Sequence, residues 1–370
     1  SYEGSDSSAN RSNHQHDQTI KGVFQLAWYQ DKLKANWVSG IDYQQLDYNI
    51  SIKIPGKSDI QKPVNSGSNM TSSYNRLKLD YKTSDKLSFS FISDANYFDI
   101  TTYDSTIHTG YDENRAEYSF FTGFYAHPFE KVKLSTEFRK DIIPEIRTPL
   151  IYNFGISYKP YNNKDLIVKA GIVRNFHNPA LNDLYWQPGG NPDLLPEKGH
   201  TVEAGIQYIR KEKSFKLETQ ITGYLSDIGD WILWLPSIKG YWEALNIKKV
   251  RSSGIEYNLK LIGNIGKTNL SFQGTYAYTR SINKGDIPGN NDRSADHQLP
   301  FIPLHSGNAL ITAQYKGFYL NYQYHSNGIR NLLNSNSKTP DDHFPFYRLY
   351  AHHLSHLTVG KNINSEKLNI

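Results

Sequence analysis

The side chains best suited to chemistry form two groups. His352, His353 and His356 make a dense cluster of imidazoles near the end of the chain. On a strand, His352 and His356 lie four residues apart and share a face. Imidazole is a common metal or haem ligand, so one expectation is a weak metal site at His352 and His356. The other is a pair of polar residues facing water. The second group is aromatic: Tyr185 and Trp186, then Trp231, Trp234, Tyr241 and Trp242. Aromatic faces of this kind stack on a large flat ligand or settle at a membrane–water boundary. Trp231 is assigned to the boundary. Tyr185, Trp186, Trp234, Tyr241 and Trp242 are the ligand candidates, with Trp186 and Trp242 foremost. No Ser/His/Asp set and no paired carboxylates stand out, so no catalytic residue, enzymatic activity or cofactor is expected.

These residues must be carried by elements of a particular kind. Composition argues against a helical membrane protein: hydrophobic content is 38%, mean hydropathy is −0.63, and no run of about 18 apolar residues occurs. One Met against 27 Tyr, 17 Phe and 6 Trp fits strands that show one face to lipid and the other to a wet lumen. A Tyr-rich soluble all-β protein would share that composition. The absence of Cys rules out disulfides and thiolate metal sites. The charge of +5 is spread along the chain, so no nucleic-acid partner is expected.

Alternation separates the two all-β readings. Val202, Ala204, Ile206 and Tyr208 interleave with polar neighbours, as do Phe215 to Leu225, Ile255 to Leu261, Leu270 to Tyr278 and Phe318 to Tyr324. A period of two over roughly ten residues is the mark of a half-wet strand. Short connections at Asp31–Lys34, Thr83–Lys86, His127–Lys131, Tyr161–Asp165, Lys211–Ser214, Gly263–Lys267, Lys316–Gly317 and Lys361–Lys367 alternate with long ones. The long ones fall at Asn49–Ser72, Asp99–Glu113, Arg139–Leu150, Arg174–His200, Asp227–Val250, Ser281–Leu304 and Ser326–Phe344. A transmembrane barrel keeps short periplasmic turns and long outer loops; a sandwich has no reason to. The fold expected is an all-β antiparallel transmembrane barrel of about fifteen strands plus the start of another at Lys367–Ile370.

One stretch carries a more specific pattern. Arg174, Phe176 and Pro179 are followed by Leu184-Tyr185, then by Gly190-Asn191-Pro192, Leu194 and Pro196-Glu197, with Glu203 and Gly205 in the next strand. Tyr241-Trp242-Glu243-Ala244-Leu245-Asn246 then leads to Gly254 and Glu256. This arrangement resembles the TonB-dependent outer-membrane receptors, nearest in flavour to cobalamin and iron–siderophore receptors of Bacteroidetes-type bacteria. Pro and Gly stiffen loops and Glu197 can cap a turn, so the motif reads as structural, shaping an outer loop and its re-entry strand, and it need not touch ligand.

The resemblance implies a piece of a barrel of about 22 strands, from about the sixth to about the twentieth. Residues 1–17 are expected to be an extracellular loop or disordered arm, and residues 18–370 a partial barrel without the plug and the last strands. The partners implied are outer-membrane lipid, the TonB complex through an N-terminal plug, and a scarce ligand such as an iron–siderophore complex or cobalamin. A passive porin-like channel, a SusC-like glycan importer and an adhesin barrel are the alternatives.

Overall fold

The computed structural model describes residues 10–53, 60–162, 165–237, 239–285, 296–331 and 348–362. Its strands in chain order are β1 (Asn10–Gln30), β2 (Leu33–Lys53), β3 (Ile60–Ser84), β4 (Leu87–Asp104), β5 (Thr109–Phe129), β6 (Val132–Ile142) and β7 (Leu150–Tyr158). Then come β8 (Asp165–His177), the helical turn α1 (Leu181–Tyr185), β9 (Glu197–Lys211), β10 (Phe215–Pro236), β11 (Trp242–Ile265) and β12 (Thr268–Asn283). The chain continues with β13 (His305–Tyr315), β14 (Phe318–Asn327), the two-residue β15 (Arg330–Asn331) and β16 (Arg348–Leu349), and β17 (His352–Lys361). Fifteen of these form one antiparallel meander, β1 through β14 and then β17, each strand bonded to its neighbours in sequence; β15 and β16 pair separately. That is the expected barrel wall with its expected strand number.

Register shows why the alternation exists. One row across the sheet runs Val132, Tyr158, Val168, Ile206, Ile221, Tyr257, Tyr276. The row one residue along runs Lys133, Ser157, Lys169, Gly205, Thr222, Glu256. Every side chain of the first row suits hydrocarbon, and most of the second suits water, so the first face is the lipid face and the second the lumen. Ile206 and Ile221 are each 47% exposed on the apolar face, which a lipid bilayer would cover. The lumenal face binds itself together instead: Asp42 accepts from Gln44 and Tyr74, Arg76 grips Asp94 through two bonds, and Tyr125 and Asn153 both donate to Glu137.

The short connections are as tight as expected. Lys316 and Gly317 both take positive φ (48° and 83°), the twist that a two-residue hairpin needs. Three of the long ones are corrected. β2 and β3 stay paired up to Lys53 and Ile60, β4 and β5 to Asp104 and Thr109, and β10 and β11 to Pro236 and Trp242. In these three, most of what reads as loop is ladder that continues past the bilayer. β3 has 25 residues where about 9–11 suffice to cross.

The expected arm is corrected in the same way over residues 10–17; residues 1–9 lie outside the described residues. From Asn10 to Asp17 the chain is strand, paired residue by residue with Leu46–Lys53. Backbone pairing holds it, because outside hydrocarbon polar side chains can occupy both faces. The expected strand start at Lys367–Ile370 lies outside the described residues.

Candidate functional site

The sequence motif builds an outer clasp. After β8 the chain turns at Pro179, which is fully buried and whose carbonyl accepts from Arg115 of β5 at 2.8 Å. Asp183 then fixes α1 twice: one carboxylate oxygen accepts from the Ala180 amide at 3.0 Å, and the other from Trp234 Nε1 at 2.8 Å. The Asn191 amide donates to the Asp183 carbonyl at 2.8 Å, and the Asn191 side-chain oxygen accepts from the Asp193 amide. Gly189 sits at φ 111°, and a Cβ there would run into the Trp242 carbonyl. Its own carbonyl accepts from the Ala244 amide at 2.8 Å. Leu194 is buried, and the Leu195 amide donates to Asn246 Oδ1 at 2.8 Å while Asn246 Nδ2 returns bonds to the Leu195 and Asp230 carbonyls. The two halves of the motif, 51 positions apart at Leu195 and Asn246, therefore lock segment 178–196 onto the β10–β11 hairpin.

Glu197 closes the clasp. Its carboxylate accepts from the Ile232 amide at 2.8 Å. Burial pushes this carboxyl above its ordinary range, with Asp183 adding to the effect, while the Ile232 N–H and His177 oppose it. Tyr111 at the top of β5 stands over Tyr185, ring centroids 6.1 Å apart. Burial, with a smaller contribution from Asp183, raises the Tyr111 hydroxyl pKa.

Against this frame lies an open cleft of about 380 Å³ lined by Asn182, Trp186, Pro188, Trp234, Tyr241 and Trp242. Four of the five ligand candidates thus converge; Tyr185 faces Tyr111 instead. Trp234 is both wall and fastener, through its bond to Asp183. Asn182 and Pro188 were not singled out in sequence, and α1, which places Asn182, has no periodic signal in five residues.

Trp231 is a correction. It packs with Leu233 and Leu235 against the buried cluster Ile247, Val250 and Leu299, not at a lipid boundary. Asp230, at φ 55°, kinks the hairpin just before it. The remaining motif residues separate by role. Arg174 donates to the Leu150 carbonyl at 3.3 Å. Glu203, Gly205 and Glu256 line a lumenal hollow of about 460 Å³ with Lys133, Lys169 and Gln220. At Gly205 a Cβ would stand 2.7 Å from the Ile221 carbonyl, and at Gly254 it would run into the Tyr278 carbonyl; close backbone approach explains both glycines.

The histidines do not gather as ligands. His352 and His356 share the lumenal face, but His352 receives a bond from Arg330 at 3.3 Å and lies 5.7 Å from the His325 ring, while His356 is paired with Gln323. His353 is on the other face, stacked on Tyr324. Among the described residues no three His, Cys, Asp or Glu side chains converge on a metal position.

Comparison with known proteins follows the same line. The family described as TonB dependent receptor-like, beta-barrel matches residues 1–369. The vitamin B12 transporter BtuB of Vibrio vulnificus (strain YJ016) is 35% identical over 106 residues, 28% of this chain and 16% of BtuB. The copper transporter OprC superimposes with a TM-score of 0.67 at 14% identity, over 94% of this chain and 58% of its own. The ferric enterobactin receptor PfeA of Pseudomonas aeruginosa does so at 0.60 and 13%, over 96% and 63%. The chain thus spans less than two thirds of each of these proteins. Members of this family are outer-membrane transporters and receptors, not enzymes. With the motif closed into a clasp and the wall alternating between lipid and lumen, the chain belongs to the TonB-dependent receptors, as part of their β-barrel domain.

Proposed function

We propose that this chain is the wall and outer mouth of an active importer for a scarce, large ligand, a cobalamin or an iron–siderophore complex. The supporting observation is the aromatic cleft between Trp186, Trp234, Tyr241 and Trp242, braced by a clasp that Asp183, Asn246 and Glu197 tie to the hairpin. Flat, rigid rings on a braced frame bind at little entropic cost. The likeness to a vitamin B12 transporter supports cobalamin among the two. Ligand caught at the mouth would pass inward when TonB, powered by the inner-membrane proton gradient, pulls on an N-terminal plug seated within the polar lumen.

The test uses the receptor with its plug. Quenching of Trp fluorescence by cyanocobalamin and by ferric siderophores reads binding, and uptake by cells with and without TonB reads transport. Saturable quenching by one ligand class with TonB-dependent uptake is expected. Uptake that persists unchanged without TonB would identify a passive channel and overturn the proposal.

A further inference from the structure

A second hollow lies on the outside of the wall. The ladder between β7 and β8 ends at Asn153–Val173, while β8 and β9 stay paired as far as His177–Glu197 and β6 and β7 as far as Lys140–Leu150. The strands part there, leaving a space of about 620 Å³ lined by Lys140, Arg147, Arg174, Phe176, Pro196 and Lys198. Four cations face one cavity. Lys198 has a carboxylate partner, Asp230 at 3.2 Å. Among the described residues no carboxylate lies within ion-pair distance of Lys140, Arg147 or Arg174. Lys140 is held by both oxygens of buried Thr148, and Arg174 by the Leu150 carbonyl. The neighbouring Asp141 is turned to the lumen, bonded to Arg139 through both its oxygens.

Register fixes the depth and the direction. Arg174 belongs to the outward series Val168, Ala170, Ile172, and Lys198 to the series Val202, His200. In the row of Arg174, and one outward-facing step below Lys198, the Tyr152 hydroxyl meets His200 Nδ1 at 3.2 Å. The same Tyr–His pairing recurs on the apolar face at Tyr276–His305 (2.8 Å) and Tyr324–His353 (2.9 Å). Rings with a polar tip, repeated at the outer end of the apolar face, mark the interface between hydrocarbon and headgroups. Arg174 therefore stands at that level and Lys140 and Lys198 just above it, on the face turned away from the lumen, where a small ligand would not pass. Guanidinium and ammonium groups so placed suit phosphate oxygens, and basic clusters beside a bilayer recruit anionic headgroups.

We propose that this hollow seats the phosphorylated headgroup of an outer-leaflet lipid. The inference rests on the barrel lying in the outer membrane and is independent of which ligand is imported. Purified receptor in detergent would be titrated with lipid A and with the same lipid stripped of its phosphates, counting bound lipid by native mass spectrometry. The intact lipid should bind at least tenfold more tightly than the stripped one. Lys140→Gln/Arg147→Gln should remove that advantage, and Lys213→Gln, in a short turn at the opposite end, should not. The shift in gel mobility on heating checks that each variant is folded, and Arg147→Gln alone, in an exposed segment, serves if the double variant is not. Equal affinity for the two lipids, or undiminished binding by a folded variant, would overturn the proposal. Inorganic phosphate competing at concentrations as low as the lipid itself would overturn it too, by revealing a site for the free anion.

Discussion

Trp234 Nε1 donates to Asp183 Oδ1 at 2.8 Å, joining the tip of one hairpin to the single helical turn of the preceding loop. The indole therefore acts twice, as cleft wall and as tether. Trp234→Phe keeps the ring surface and removes the bond. A lost bond to a charged acceptor costs about 1.5–3 kcal/mol, enough to loosen segment 178–196 locally. Hydrogen exchange should speed up there by at least tenfold, with the amides of β8 and β9 unchanged. Unaltered exchange in 181–196 would mean that the tether is redundant.

Trp186 and Trp242 also line the cleft, and among the described residues neither indole has a tether of this kind. Trp186→Ala with Trp242→Ala should therefore weaken ligand by about tenfold or more, since a well-placed aromatic anchor contributes on the order of 2 kcal/mol. Fluorescence titration of the folded double variant decides; equal affinity would remove both residues from the ligand site.

Glu197 offers a pH test. Its carboxyl is raised in the folded clasp relative to the ordinary value of 4.5, so folding favours the protonated form. The stabilisation is fully present below the unfolded value and is lost as pH rises through the folded one. Protection of the Ile232 amide, corrected for intrinsic exchange, should thus be greater at mildly acidic pH than at neutral pH. Glu197→Gln keeps an acceptor for that amide and should flatten the dependence; a slope unchanged in Glu197→Gln would assign it to another group.

Two glycines one strand apart should differ sharply. An added Cβ at Gly205 would stand 2.7 Å from the Ile221 carbonyl, whereas at Gly223 the nearest atom is 3.9 Å away. Gly205→Ala should cost about 1–3 kcal/mol and lower the urea midpoint of the barrel in lipid vesicles, while Gly223→Ala should be near neutral. Equal midpoints would show that the backbone yields at Gly205.

The membrane-crossing half of the wall was legible because hydrocarbon imposes a period of two: Val202, Ala204 and Ile206 must all point one way. The outer half was not. Between Ser66 and Ser73 the chain reads Ser-Gly-Ser-Asn-Met-Thr-Ser-Ser, a loop composition, yet every residue is paired with both neighbouring strands. Water on both faces erases alternation while leaving the backbone bonds intact. The aromatic cleft was legible as a set of residue types close in sequence. The clasp was legible only as a motif, because Asn246 meets Leu195 through a fold that one strand cannot announce. Lys140, Arg147 and Lys198 carried no signal at all, coming from separate segments with no shared pattern.

The overshoot of β2 through β5 has a practical consequence. Ser105–His108 caps a ladder intact down to the opposite end of β4 and β5, so the tip stands on a stiff mast well clear of the headgroups. Ser105 and Thr106 are bonded to Asn65 and Lys62 of β3, so a foreign peptide spliced after them, at Ile107–His108, would add closure entropy to a turn already outside the wall. It would be carried into the medium at a fixed height, which makes this tip a natural platform for displaying epitopes on living cells.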